Sequence, residues 1–363
     1  MLEIIILVII SAYFIQSATF LSAAGRSFKR LSDSELPSAS VIVAVRNEEK
    51  NILRCMQSLA KLEYPADRME IIIADDGSTD ATAQIVKDFI CDKPVFRYCS
   101  ISGQTGHLKG KTNALAEVIP VARGEIILTT DADCAVSPLW AKTICSYYTD
   151  DVALVCGFTT QTADSQFTGM QALDFIYLLS VASGSMNAGL PLSCIGNNMS
   201  YRKSVYHETG GYHSLPFSIT EDFALLRSIA GLKKYKLIYP TDPEALIESL
   251  PCSDIKSLYW QKKRWGVGGL SSSWKGFIVM ASGFLANLCV LLLPFFFTPV
   301  LLYLTIFKIC TDAFLLYTVL KKLRLSEIIK YFFAFEIYFM IYVLALPAAV
   351  ISSRKVIWKG RKY

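Results

Sequence analysis

A short apolar run that ends in two carboxylates restricts this chain to a small set of folds. Residues 124–130 are typical of a buried β-strand, and they lead directly into Asp131-Ala132-Asp133. A buried parallel strand delivers the residues that follow it to the carboxyl edge of a sheet, where open α/β folds bind their ligands. Two carboxylates there suit Mg²⁺ or Mn²⁺, which proteins hold through one or two carboxylates and substrate phosphates. The alternative is a solvated turn, and the choice between the two depends on the other motifs.

Apolar residues are concentrated at the two ends of the chain. The 363 residues are 53% hydrophobic and only 18% charged, which is unusual for a soluble protein. Residues 4–24 form an apolar run about long enough to cross a bilayer, with Glu3 before it and Arg26, Lys29 and Arg30 after it. This charge bias predicts a membrane anchor over residues 1–25, with its amino end outside and its basic flank in the cytoplasm. A cleaved signal peptide is the less favoured alternative.

The C-terminal region, residues 276–352, is predicted to form transmembrane helices. It contains three apolar blocks, at about residues 277–297, 300–320 and 331–351. Three spans would place the basic tail, residues 353–363, outside the cell, against the positive-inside rule. Either one block lies in the interface or the tail is an exception. Lys308 and Asp312 lie four residues apart in the second block, and such a pair is usually a satisfied intrahelical contact and less often part of a lipid or substrate path.

The polar middle of the chain, residues 38–250, is predicted to be one α/β domain. Strands at 39–45 and 69–74 alternate with helices at 48–62 and 81–90, and this alternation predicts a mostly parallel sheet with right-handed crossovers. Further along, a helix is expected to open at Lys111, and a strand is expected at 152–158. Asp75 and Asp76 follow the second strand directly, so they should reach the same sheet edge as Asp131. A turn that caps the next helix is the structural alternative for this pair.

Two further polar segments follow. Glu221 and Asp222 begin a predicted helix at 223–229, where acidic residues are favoured by the helix dipole, although a carboxylate beside a hydroxyl can also serve as a general base. Residues 251–275 form a predicted interfacial segment containing Gln261, Arg264 and Trp265. Lys, Arg and Trp anchor helices at membrane interfaces, and the local sequence alone favours that reading. The functional alternative is that Arg264 pairs with phosphate oxygens and Trp265 stacks on a ring.

Other function classes find little support. The ten cysteines contain no Cys-x-x-Cys pair, which argues against zinc and redox motifs, and a cytoplasmic domain would keep them reduced. The net charge of +5 comes largely from the membrane flanks and fits an anionic leaflet better than nucleic acid, for which there is no motif.

Taken together, the motifs between about residues 40 and 265 resemble the family 2 glycosyltransferases, in the membrane-bound branch of the cellulose, hyaluronan and ceramide-glucose synthases. The matching segments are Val41-Ile42-Val43-Ala44-Val45-Arg46-Asn47-Glu48, Asp75-Asp76-Gly77-Ser78-Thr79-Asp80, Lys109-Gly110-Lys111, Asp131-Ala132-Asp133, Thr220-Glu221-Asp222 and Gln261-x-x-Arg264-Trp265. The resemblance implies a GT-A fold, a Rossmann-like and mostly parallel sheet, and inversion at the anomeric carbon.

The resemblance also implies roles for these residues. Asp75 and Asp76 should contact the nucleotide base, with Arg46, Asn47 and Glu48 beside it, and Lys111 should lie near the donor phosphates. Asp131 and Asp133 should bracket the diphosphate, and Asp133 is the residue most expected to bind the metal. The expected cofactor is Mg²⁺ or Mn²⁺. Asp222, with Glu221 beside it, should take the proton from the acceptor hydroxyl. Gln261, Arg264 and Trp265 should close over the diphosphate and the acceptor.

The sequence therefore predicts an integral membrane glycosyltransferase that moves a hexose from a nucleotide sugar, with UDP-sugar as the expected donor, to a lipid or lipid-linked acceptor. The expected location is the bacterial inner membrane, with the catalytic domain in the cytoplasm. A processive polysaccharide synthase is the first alternative. A membrane-anchored nucleotidyltransferase is another, although it leaves Thr-Glu-Asp and Gln-x-x-Arg-Trp unexplained.

Overall fold

Secondary structure follows the apolar pattern of the chain closely. The computed structural model describes residues 1–358 and 361–362, so residues 359, 360 and 363 of the predicted tail lie outside the described residues. The helices are α1 (Leu2–Ala24), α2 (Ile52–Leu59), α3 (Thr82–Ile90), α4 (Lys111–Val118), α5 (Trp140–Cys145), α6 (Gln166–Asn187), α7 (Lys203–Glu208), α8 (Glu221–Gly231), α9 (Ile255–Gly269), α10 (Trp274–Leu292), α11 (Pro299–Lys322) and α12 (Phe332–Ser352). The strands are β1 (Ala39–Val45), β2 (Met69–Asp75), β3 (Phe96–Ser100), β4 (Ile126–Asp131), β5 (Ala135–Val136), β6 (Val152–Cys156), β7 (Thr159–Gln161), β8 (Met199–Arg202), β9 (Lys236–Ile238), β10 (Ile247–Ser249), β11 (Ile357–Trp358) and β12 (Arg361–Lys362).

By its contacts the chain divides into two compact units, each assembled from separate segments. The sheet unit comprises residues 26–160 and 193–250, and the helical unit comprises residues 1–25, 161–192 and 251–363. The predicted domain at 38–250 therefore contains a segment, residues 161–192, whose contacts belong to the helical unit.

The sheet unit is built around a seven-stranded sheet with the order β3-β2-β1-β4-β8-β6-β9. The strand pairs are parallel except at β8, which runs antiparallel to both β4 and β6. β1 is a run of Val, Ile, Ala and Ser in which every residue but Ala44 is buried, as expected for a strand covered on both faces. The predicted mostly parallel α/β sheet is confirmed.

One predicted helix in this unit is shorter than expected. The apolar spacing at 48–62 predicted a helix of that length, whereas α2 spans Ile52–Leu59. The preceding residues form a loop because Asn47 adopts a left-handed backbone conformation with φ of 52°. The backbone N–H of Glu48 then donates to the Thr82 hydroxyl at 2.8 Å. The loop is thus tied to the start of α3, and the helix begins only after it.

Among its described residues, the helical unit contains four helices that are long and apolar enough to cross a membrane: Leu2–Ala24, Trp274–Leu292, Pro299–Lys322 and Ser326–Ser352. The last of these is α12 together with the 3-10 helix that precedes it, Ser326–Tyr331. α6 packs among them, against α1, α11 and α12, and sixteen of its 22 residues are buried. Close packing is possible where small residues face a neighbour. A Cβ on Gly184 would lie 2.3 Å from the carbonyl oxygen of Phe20 in α1.

A buried polar cluster joins the helices of this unit. The Lys308 ammonium lies 2.8 Å from the Asp312 carboxylate, as the four-residue spacing predicted, and 3.2 Å from that of Glu336. It also donates to the Asn287 side-chain oxygen at 3.0 Å, and the Tyr13 hydroxyl donates to Asp312. Lys308 and Asp312 are at most 1% exposed, so the cluster is a satisfied internal contact.

Candidate active site

Neighbouring strand ends converge at one edge of the sheet. In the register of the sheet, Ala44 of β1 lies opposite Asp131, the last residue of β4. Val45 lies opposite Asp75, the last residue of β2. The carboxyl ends of three adjacent strands therefore deliver Asp75, Arg46 and Asp131 to a common edge, which is where open α/β sheets bind ligands.

Lys111 connects this edge to helix α8. It is the first residue of α4, and its ammonium lies 2.6 Å from Oδ1 of Asp131 and 3.4 Å from Oε1 of Glu221. Burial by itself would lower the pKa of Lys111, but Asp131 and then Glu221 outweigh it, so the pKa is raised. The side chain therefore stays cationic and holds two carboxylates together that are ninety residues apart in the chain.

Asp222 lies in the first turn of α8 and packs against the segment that precedes β8. Its Oδ1 accepts from the backbone N–H of Phe223 at 2.8 Å. A Cβ on Gly196 would lie 3.1 Å from Oδ2 of Asp222, so that glycine borders the carboxylate directly. The Gly196 carbonyl is itself fixed by the Thr129 hydroxyl at 2.9 Å. Asp222 is thus placed between the end region of β4 and the start of α8.

The Asn197-Asn198 pair that follows Gly196 supports this geometry. Asn198 donates to the carbonyls of Phe158 and Ala245 at 2.7 and 3.0 Å and accepts from the Trp140 indole at 2.9 Å. It is 1% exposed. A buried amide with three partners fixes the backbone around it, which explains a polar segment in apolar surroundings.

Asp133 lies two residues beyond Asp131, beside the Cys134 thiol. The Cys134 thiol points to Oδ1 of Asp133 at 3.4 Å, and Arg54 donates to the Asp133 carbonyl at 3.0 Å. Burial, followed by the charges of Asp133 and Asp131, raises the pKa of Cys134 well above its usual range. Cys134 therefore remains a neutral donor beside the acid.

The donor set of Asp131 and Asp133 fits a divalent cation only in part. In the described part of the chain no group of three or more His, Cys, Asp and Glu side chains is arranged to hold a metal ion. Two carboxylates are nevertheless enough for Mg²⁺ or Mn²⁺ when substrate phosphates complete the shell. The Asp131 carboxylate is paired with one positive charge, the Lys111 ammonium at 2.6 Å. The residues present therefore fit a metal that arrives with a diphosphate.

The predicted base-binding residues form two linked loops. Asp75 is 2% exposed, and its carboxylate accepts from the Ser78 backbone N–H and the Tyr98 hydroxyl, both at 2.8 Å. Arg46 donates to the Asp76 carbonyl at 2.9 Å and lies 3.4 Å from its carboxylate. Asp75 thus shapes the loop, while Arg46, about a third exposed, presents the more accessible charge at this edge.

Asn47 and Glu48 tie the same two loops together. Asn47 accepts from the Thr79 backbone N–H at 2.8 Å, and its own N–H donates to the Ser78 hydroxyl at 3.0 Å. Glu48 is buried and accepts from the Asn51 amide at 2.8 Å. Both residues belong to the loop that follows β1.

Gln261, Arg264 and Trp265 lie on α9, in the helical unit. The Trp265 ring packs edge-on against Phe175 of α6, with 5.2 Å between the ring centroids. The Lys262 ammonium lies 4.0 Å from the centroid of the Trp265 ring. Within its unit, Trp265 is therefore part of a packed contact between α9 and α6.

A comparison with known proteins identifies the family. The model of glycosyl transferase family 2 matches residues 40–219. The chain belongs to this family. The matched range begins in β1 and ends just before Thr220, so the glycosyltransferase family model covers β1, β2 and β4, whose ends form the sheet edge described above.

Three known proteins illustrate the similarity. The β-monoglucosyldiacylglycerol synthase of Nostoc sp. is 37% identical over 113 residues, which are 31% of this chain and 24% of that protein. The poly-β-1,6-N-acetyl-D-glucosamine synthase of Staphylococcus epidermidis is 28% identical over 234 residues, 63% of this chain and 54% of that protein. The mannosyltransferase PcManGT from Pyrobaculum calidifontis, solved in complex with GDP-Man and Mn²⁺, matches with a TM-score of 0.58 at 17% identity and covers 97% of both chains.

This structural match concerns the fold, and it agrees with the predicted GT-A architecture. The chain spans between about a quarter and just over half the length of the first curated relatives it matches.

Sequence reasoning missed one pair of residues in this glycosyltransferase. Lys262, inside the Gln-x-x-Arg-Trp motif, forms a buried ion pair with Asp174 of α6. The available signal was weak: Asp174 is the one acidic residue in an otherwise uncharged stretch, residues 165–201. Its partner is 88 residues away, so no local pattern connects the two.

Proposed function

We propose that this glycosyltransferase is an inverting enzyme that transfers a hexose from a nucleotide-sugar donor to a lipid or lipid-linked acceptor at a membrane. The observation that carries the proposal is the convergence of Asp131, Lys111, Glu221 and Asp222 at the carboxyl edge of the sheet. These groups combine a site for a metal–diphosphate complex with a carboxylate proposed to accept a proton.

The proposed chemistry is a single displacement. Asp222 accepts the proton of the acceptor hydroxyl while that oxygen forms a bond to the anomeric carbon. The bond from the anomeric carbon to the phosphate oxygen breaks on the opposite face, and the nucleoside diphosphate leaves with the electron pair. A general base of this kind contributes about 10² to 10⁴ in rate.

The leaving diphosphate needs positive charge beside it. Asp131 and Asp133 would hold Mg²⁺ or Mn²⁺, which when bound would offset charge on the diphosphate. Lys111 lies beside the same carboxylate and adds a permanent cation. Arg46, Asp75 and Asp76 are proposed to line the nucleotide base, and Arg264 and Trp265 to contact the diphosphate and acceptor.

Four helices that could span a bilayer support a membrane location. The basic residues Arg26, Lys29 and Arg30 follow α1. By the positive-inside rule this charge bias favours a cytoplasmic location for the sheet unit. The match to a β-monoglucosyldiacylglycerol synthase supports a lipid acceptor. The longer match to a poly-β-1,6-N-acetyl-D-glucosamine synthase is the specific reason to keep polysaccharide synthesis as the second candidate.

The test uses membranes that contain the full chain, Mn²⁺ or Mg²⁺, and radiolabelled UDP-glucose, UDP-galactose, UDP-N-acetylglucosamine or GDP-mannose. Label that enters the organic phase indicates a glycolipid, and label in the insoluble residue indicates a polymer. Asp222→Asn should lower transfer by about 10² to 10⁴ while nucleotide binding survives. Asp150→Asn, at an exposed aspartate of the same unit, should keep full activity. Full transfer by Asp222→Asn would remove it from the proposed role, and no transfer from any donor would refute the function.

A further inference from the structure

The Asp174–Lys262 ion pair is buried beside the Gln-x-x-Arg-Trp motif. Asp174 is 0% and Lys262 5% exposed, and the Lys262 ammonium also faces the rings of Trp265 and Tyr342 at 4.0 and 5.3 Å from their centroids. The Tyr342 hydroxyl donates to the other oxygen of Asp174 at 3.3 Å. Both charges are therefore held in one place by partners on three helices, α6, α9 and α12.

The pair fixes the rotation of α9 about its own axis. Gln261 and Arg264 lie three residues apart and share one face of α9. Lys262, Trp265 and Gly266 lie on the adjoining face, where the Lys262 ammonium is 4.0 Å from the centroid of the Trp265 ring. A Cβ on Gly266 would lie 2.9 Å from a methyl group of Val350 in α12, so this second face is in close contact with its neighbour. Anchoring the second face leaves the first face only one orientation.

Stability alone does not account for such a pair. Replacing a buried ion pair by apolar side chains of similar volume is often neutral or stabilising, because taking two charges out of water is costly. A rotation of α9 that separated the pair would leave a buried charge uncompensated, which is strongly destabilising, whereas an apolar contact between α6 and α9 carries no such penalty. The buried charges therefore serve to orient α9 more than to stabilise its contact with α6.

We propose that Asp174 and Lys262 are positioning residues that set the orientation of Gln261, Arg264 and Trp265 for sugar transfer. The proposal rests on the proposed function, in which those three residues contact the donor diphosphate and the acceptor. Asp174 and Lys262 touch neither substrate and act through the rotation of α9.

A double-mutant cycle tests this coupling in membranes containing the full chain. Arg264→Lys perturbs the motif directly but keeps a measurable rate, and Asp174→Asn removes the partner of Lys262. Asp174→Asn alone should lower kcat/KM by about tenfold, since small misplacements of contact groups are costly. It should also divide the loss between kcat and donor KM in the same ratio as Arg264→Lys. In the Arg264→Lys background, Asp174→Asn should add less than about a further twofold, because both changes disable the same contacts.

The control is Asn287→Leu, which removes a hydrogen bond to Lys308 in a different buried polar cluster of the same unit. Its effect on kcat/KM should be equal in both backgrounds. If Asp174→Asn prevents folding, Tyr342→Phe replaces it, since that variant loses only the hydroxyl that bonds to Asp174. Its loss should be smaller, about two- to fivefold, and it too should disappear in the Arg264→Lys background.

The outcomes separate the two proposals. Equal losses from Asp174→Asn in both backgrounds, or no loss at all, would overturn the positioning role. Full activity of Arg264→Lys and Arg264→Ala would instead remove the motif from the proposed function, and the positioning role with it. Loss of transfer in both motif variants together with additive behaviour of Asp174→Asn would leave the proposed function intact.

Discussion

Gly196 offers a sharp test of the proposed general base, because it borders Asp222 without taking part in chemistry itself. An ideal Cβ on Gly196 would lie 3.1 Å from Oδ2, 3.2 Å from Cβ and 3.4 Å from Cγ of Asp222. The backbone of Gly196 does not adopt a positive φ, so alanine introduces a methyl group and no backbone strain. Gly196→Ala therefore displaces the Asp222 side chain in a known direction.

These distances give the size of the expected displacement of the Asp222 carboxyl group. Comfortable contacts between carbon atoms lie at about 3.5–4.0 Å, so the carboxyl group must retreat by about 0.3–0.5 Å. A misplacement of 1 Å can cost about a hundredfold in rate, so a shift of this size should cost about four- to tenfold. That corresponds to about 1 kcal/mol of transition-state stabilisation. The loss should fall on kcat, with donor binding changed by less than about twofold, because the sheet-edge residues that are proposed to contact the nucleotide are not displaced.

The assay is the initial rate of radiolabel transfer at saturating donor, with nucleotide binding measured in parallel. Gly231→Ala is the matched control, since Gly231 is the last residue of α8, the helix whose first turn contains Asp222, and a Cβ there meets nothing within 4 Å. It should keep full activity and gain up to about 1 kcal/mol of stability. Full kcat in Gly196→Ala would refute the reasoning, because a base in direct contact with the new methyl group cannot be indifferent to it.

Two further predictions concern the helical unit. Lys308→Met leaves two buried carboxylates without their cation and should lower the free energy of unfolding by about 3–5 kcal/mol, as judged by thermal unfolding in detergent. The exposed Lys355→Met should change it by less than about 0.5 kcal/mol, and similar losses in both would contradict the role of the cluster. Gly184→Ala places a methyl group 2.3 Å from the carbonyl oxygen of Phe20 and should destabilise by about 1–3 kcal/mol. Gly283→Ala should not destabilise the protein, because a Cβ at that position meets nothing within 4 Å. Equal melting temperatures for the two variants would contradict this explanation.

The sheet and its edge were accessible to sequence reasoning because their signals are local. β1, β2 and β4 are uninterrupted runs dominated by apolar and β-branched residues, and each runs directly into a polar segment. Strand ends therefore predicted where Asp75 and Asp131 would meet, and the spacing of Lys308 and Asp312 predicted their contact. The four apolar helices were likewise evident from length and composition.

The contacts that join distant segments were not accessible. Lys111 was expected near donor phosphates, and nothing nearby in sequence indicated that it would hold Asp131 and Glu221 together. α6 was overlooked because Gln, Asp, Ser and Gly interrupt its apolar residues, so it is neither a membrane span nor an amphipathic helix by pattern. Its polar residues make sense only against partners such as Lys262, which lie far along the chain.

The position of α6 has a consequence for how this protein is made. β8 is an inner strand of the sheet, between β4 and β6, yet it is synthesised only after α6. The sheet therefore cannot be completed until α6, which belongs to the helical unit, has been synthesised. α6 in turn emerges before α9–α12, the helices among which its Asp174 finds a partner. Biogenesis of the two units is thus interleaved, and a fragment that contains the sheet unit alone would need a short loop in place of residues 161–192 as well as the removal of residues 1–25 and 251–363.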